Sequence, residues 1–215
     1  MRARSILCAA VLTALTLSGC AARNTADSQP VTEAPAAGTV TDTAENWKSA
    51  YLEALEDYGA SHSSTSDSYW DLQDVDGDGS PELLISESSS YSAGVLCYFY
   101  ENGKAVPLLN ADGEPLCYGV YGHFLLCPEE HLWGIESLHG GYLHTVMDTF
   151  ADRTLTHLQT TGDTSGYFGE ENATYTVNDE EVPQEDYQSA YDRFKSRQWV
   201  DVGRQYAFGD HAALE

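Results

Sequence analysis

Basic residues are scarce in this chain. Among 215 residues there are 10 Lys and Arg against 34 Asp and Glu, a formal charge of −24. A surface with so little positive charge repels phosphate backbones and anionic lipid headgroups, so nucleic acid is excluded as a partner. Arg2 and Arg4 lie in the first few residues, and removal of that segment leaves the remainder still more acidic. Cysteine is also sparse, at five residues, and no C-x-x-C pair occurs, which removes the usual zinc and dithiol signatures. No Gly-x-Ser-x-Gly, His-Glu-x-x-His or penicillin-binding signature is present. Past residue 20 there is no second hydrophobic segment of membrane-spanning length. Glycosidase carboxylates have no short signature, so a hydrolase of that kind stays open.

What is present begins with an export signal at residues 1–19. Arg2 and Arg4 precede an apolar run from Ile6 to Leu17, too short for a stable span. The run ends in Leu17-Ser18-Gly19-Cys20, which resembles the lipobox of bacterial lipoproteins. That resemblance implies a lipid on Cys20, which would become the mature N-terminus; an ordinary cleavage site is the alternative. The implied location is the extracytoplasmic face of the cell membrane, held there by lipid. Residues 20–44 are Ala, Thr, Pro, Gly, Asp and Ser without apolar periodicity, and read as a disordered tether. Residues 45–215 are expected to form a single domain.

The densest chemistry lies in Tyr69-Trp-Asp-Leu-Gln-Asp-Val-Asp-Gly-Asp-Gly-Ser-Pro-Glu-Leu-Leu-Ile85. Asp74, Asp76, Asp78 and Glu82 put four carboxylates around a turn, with Gly79 free to take positive φ. Hard oxygens at this density suit Ca²⁺; Mg²⁺ fits less well, since it keeps its waters and a tighter octahedron. A helix-loop-helix site is excluded, because position twelve from Asp74 is Ile85 where a bidentate Glu is needed. The flanks read as short strands. The stretch resembles the strand-loop-strand D-x-D-x-D-G-x-x-[D/E]-L calcium loops of FG-GAP and VCBS repeat proteins. By that resemblance Asp74, Asp76, Asp78 and Glu82 supply side-chain oxygens and Ser80 a backbone carbonyl. An acidic turn holding no ion is the competing reading. The motif occurs once, and a propeller needs about four or more blades. The order of elements resembles small surface lipoproteins of Gram-positive anaerobes over residues 45–195.

The spacing predicts a helix over 43–58, with Asp42 or Thr43 as cap and Gly59 as stop. An antiparallel meander follows. It includes an Asn102-Gly103 hairpin turn, strands at 132–138, 143–150, 154–159 and 174–177, and a mobile loop at 162–172. A second helix is expected over 184–194. The fold class is therefore α+β: one antiparallel sheet with an N-terminal helix and a short C-terminal helix packed on it. Cys97, Cys117 and Cys127 permit at most one disulfide. His139 and His144 would bind a transition metal only if both rings converged, and Gly140-Gly141 between them reads as a turn or bulge.

The functional expectation is a calcium-stabilised, lipid-anchored extracellular binding or presentation module without catalysis, acting on an unidentified ligand. Tyr98, Tyr100, Tyr118 and Tyr121 are candidates for its binding face, with strand packing as the alternative. An extracellular hydrolase, or an accessory domain of one, is the rival reading.

Overall fold

Alternation of apolar residues, not their total, sets the architecture. In the computed structural model, which describes residues 46–215, two antiparallel sheets stack face to face with a helix on each outer surface. The chain runs α1 (Asn46–Ser61), β1 (Tyr69–Gln73), β2 (Glu82–Ser86), β3 (Val95–Glu101), β4 (Lys104–Pro107), β5 (Cys117–Tyr118) and β6 (His123–Cys127). It continues through β7 (Leu132–His139), β8 (Tyr142–Ala151), β9 (Thr154–Asp163), the short α2 (Ser165–Phe168), β10 (Tyr175–Val177) and β11 (Glu180–Glu181). It ends with α3 (Gln184–Lys195), β12 (Val200–Asp201) and β13 (Tyr206–Ala207). The described residues all belong to one compact unit, and among them no helix is long and apolar enough to cross a membrane. The export signal, Cys20 and the tether lie outside the described residues.

The first sheet runs β13-β1-β2-β3-β4, with β5 also paired to β3; the second runs β11-β10-β9-β8-β7-β6-β12. Successive strand residues face opposite ways, so each sheet feeds two clusters. Leu84, Cys97 and Phe99 of the first sheet meet Phe124, Trp133 and Phe150 of the second in the central core. Leu83 and Ile85 point outward instead and pack under Tyr51, Leu55 and Tyr58 of α1. Leu125, Leu132 and Met147 do the same under Phe194 of α3.

The α+β class holds, while the single sheet expected from the sequence is divided into two. The meander continues from β6 to β11 but the first five strands form a separate layer. Gly59 lies inside α1 rather than after it. Its missing side chain has another cause, since a Cβ there would sit 3.3 Å from the Phe208 ring. Gly140 and Gly141 form the β7–β8 turn, both at positive φ. The 162–172 segment, expected to be a mobile loop, carries the end of β9, α2 and a 3₁₀ turn. Thr164 closes that segment by exchanging hydrogen bonds with Thr174. Cys97, Cys117 and Cys127 are all free thiols, and Cys97 and Cys127 are buried.

Candidate metal centre

The β1–β2 connection is built by side chains closing on their own backbone. Asp74 accepts the Gly77 N–H on Oδ1 at 2.7 Å and the Gly79 N–H on Oδ2 at 3.0 Å. Asp76 Oδ1 accepts from Asp78 N at 3.1 Å, and Asp78 Oδ1 from Ser80 N at 2.7 Å. Short acidic side chains favour such local bonds, which is why an alternating Asp run makes a tight loop. Gly77 and Gly79 take φ of 78° and 89°, a region costly for other residues. The outcome is that ligand oxygens of Asp74, Asp76 and Asp78 all lie within 4.8 Å of one another.

Glu82 stands apart from that trio. It opens β2, is 3 % exposed, and accepts the Val75 N–H on Oε2 at 2.8 Å. Burial pushes its carboxyl up to about 8; the Val75 N–H opposes this, and Asp76, Asp78 and Asp74 add to it. Burial also raises the Asp76 carboxyl, again with the neighbouring acids adding. No Lys, Arg or His among the described residues forms an ion pair with any of the four acids. Three carboxylates this close without an ion-pair partner repel one another, and a dication with oxygen preference relieves that repulsion. The Asp74, Asp76 and Asp78 cluster can hold a metal ion. Ser80 is exposed and engaged through its N–H.

Three side chains from distant parts of the chain brace this loop. Tyr51 on α1 donates to the Pro81 carbonyl at 3.0 Å, and the Trp133 indole of β7 donates to the Val75 carbonyl at 3.4 Å. The His131 ring lies against Gly77, where a Cβ would fall 2.5 Å from its Cε1. None of the three was legible as a loop support, because the partners are 30, 58 and more than 50 residues away with no local pattern connecting them.

The remaining candidates scatter. Tyr118 is buried and donates to Asp148 at 2.9 Å, and Tyr98 and Tyr100 pack into the α1 cluster. Tyr121 is 63 % exposed. His139 faces Tyr142 across the turn and His144 faces Ser137, so the two rings sit at different register positions of the hairpin. Comparison with family models, curated proteins and solved structures finds no match.

Proposed function

We propose that this chain is a calcium-stabilised module, anchored by lipid on Cys20 at the extracytoplasmic face of the cell membrane, that binds or presents an extracellular ligand without catalysing a reaction. One observation carries the calcium part: three carboxylates, Asp74, Asp76 and Asp78, with ligand oxygens within 4.8 Å of one another in a loop braced by α1 on one side and β7 on the other. Asp74, Asp76, Asp78 and Glu82 would hold the ion through side chains and Ser80 through its carbonyl. The ion supplies charge neutralisation. Because the braces reach both an outer helix and the second sheet, ordering the loop stabilises the whole domain.

The test is thermal melting of the full chain with calcium and with chelator. Calcium at about a hundredfold over its Kd should add roughly 2.7 kcal/mol, which for a domain of this size is about 5–10 °C. Asp76→Ala should abolish the difference. Identical melting of wild type with and without calcium defeats the metal reading. For the anchor, Cys20→Ser should yield a chain that is released or left unprocessed, while the wild type partitions with membranes. Recovery of the wild type in the medium without lipid defeats the location.

A hydrolase is the second reading, and one geometric feature favours it. His123 Nδ1 lies 2.7 Å from Asp201 Oδ2 at the edge of a cavity of about 400 Å³ that Glu136 and Ser137 also line. A carboxylate-oriented imidazole is the arrangement of a general base. Against it, the Ser137 hydroxyl is 9 % exposed as a residue and committed to the Tyr121 carbonyl at 2.6 Å, so no nucleophile is offered. Turnover of a glycan or peptide, abolished by His123→Gln, would replace the binding reading with this one.

A further inference from the structure

Arg204 is a half-buried cation that forms no ion pair among the described residues. Its terminal nitrogens Nη1 and Nη2 are buried and have no hydrogen-bond partner. Its Nε reaches only the Ser88 carbonyl, at 3.4 Å. Of the other arginines among the described residues, Arg153 bonds Glu101 and Arg193 bonds Gln159, while Arg197, whose Nε also lacks a hydrogen-bond partner, is at least ion-paired with Glu130 at 3.4 Å. In a chain of charge −24 an arginine without an ion pair is not a matter of supply. Leaving a guanidinium buried and unpaired is costly, since its hydration is lost without replacement.

The surroundings explain both the omission and its use. Arg204 lines a cavity of about 480 Å³ together with Asp71, Gln73, Tyr91, Asp201 and Gln205. Two of those are acids; neither forms an ion pair with it, although the Asp201 charge lies near enough to favour the protonated guanidinium. Asp71 spends its oxygens on the Gly203, Leu72 and Gln73 donors at 2.9, 2.8 and 3.1 Å. Asp201 Oδ2 receives His123 Nδ1 and, at 3.4 Å, the Tyr91 hydroxyl. Tyr91 covers the arginine. The guanidinium carbon is 4.3 Å from its ring centroid, and the His123 ring centroid is 3.7 Å from the same ring. Tyr91 belongs to the Ser-rich connection between β2 and β3, is 36 % exposed and belongs to none of the three core clusters.

We infer that this cavity is a binding site for a carboxylate-bearing ligand, with Arg204 as its anchor and Tyr91 as its cover. A guanidinium presents parallel N–H donors that match a planar carboxylate in two bonds. A phosphate dianion would carry twice the repulsion from Asp71 and Asp201 across the same space. Gln73 and Gln205 add side-chain amides to the rim, and Val200 and Val202 give it apolar walls. The inference rests on the binding-module reading and gives that module a ligand class. It is independent of the metal loop.

The experiment is calorimetric titration of the full chain in detergent, with calcium present and ionic strength constant. The probes are acetate, N-acetylglycine, N-acetylglycinamide and inorganic phosphate. Both carboxylates should bind, the amide should not, and phosphate should bind more weakly than acetate. Arg204→Gln should lower affinity for N-acetylglycine at least tenfold, with Arg204→Lys intermediate. Tyr91→Ala should speed association; an unchanged rate removes Tyr91 as the cover. Equal binding of N-acetylglycine and its amide overturns the site without any variant needing to fold. Stronger binding of phosphate, full binding by a folded Arg204→Gln, or no binding by any probe overturns it too. If the carboxylates fail while calcium still raises the melting temperature, the ligand class is wrong and the metal reading stands. If calcium has no effect while the carboxylates bind, the reverse holds.

Discussion

Gly77 and Gly79 share a loop and a positive φ, yet the loop needs them for different reasons. At Gly79 a Cβ meets nothing within 4 Å, so only the backbone objects to a side chain. At Gly77 it would also strike His131, which is itself held at φ 52°. Gly79→Ala should therefore cost about 1–2 kcal/mol, the penalty of a left-handed residue. Gly77→Ala should cost about 1 kcal/mol more, since the exposed His131 ring must also swing aside to another rotamer. Urea denaturation of both, without calcium, measures the difference. In a His131→Ala background the Gly77 cost should fall to the Gly79 value; if it does not, the ring is not the wall. The acids of this loop were legible because their spacing is local. Glu82 was legible as a carboxylate but not as a buried one, since its position at the start of a two-sided strand depends on α1 and the second sheet.

The two larger helices were read with unequal success, for a physical reason. The C-terminal helix was placed to within a residue, since Tyr187, Ala190 and Phe194 recur on one face and basic residues fill its last turn. At α1 the glycine suggested a stop, and the chain instead uses the absent side chain to admit Phe208, which no local pattern reveals. α3 is fixed to the second sheet through Phe194, fully buried, and through Gln159. The Gln159 amide donates to the Ala190 carbonyl at 2.9 Å and accepts from Arg193 at 3.0 Å. Phe194→Ala should cost about 3–5 kcal/mol by emptying the space between Leu125, Met147 and Trp199. Ser189→Ala on the exposed face of the same helix should stay within about 0.5 kcal/mol. Equal effects would mean that α3 is not seated through its apolar stripe.

Across the whole molecule, the division into two sheets was hidden from the sequence because alternation states that a face is buried and not what buries it. Leu83 and Leu84 are equally apolar, yet one meets a helix and the other a second sheet. The acidic surface and the few basic groups have a related division of labour. Arg153, Arg193, Lys195 and Arg197 each tie one element to another, with Arg153 bonded to Glu101 between sheets and Lys195 to Glu136 from α3. Arg204 differs in reaching a carbonyl and a ring of the β2–β3 connection and no ion-pair partner.

The late strands lie where the early ones are waiting for them. β12 joins the second sheet beside β6, and a few residues later β13 joins the first beside β1. Trp70 donates to the Asp210 carbonyl, 140 residues away. Synthesis delivers a chain from its N-terminus, so β1 emerges early with one edge bare and its tryptophan unsatisfied. Nothing local can close that edge, and an open strand edge recruits other chains. Closure of the first sheet thus waits on a strand made more than a hundred residues after the edge it covers. A copy that lacks β13 keeps an adhesive edge, while one that carries it conceals that edge with its own strand.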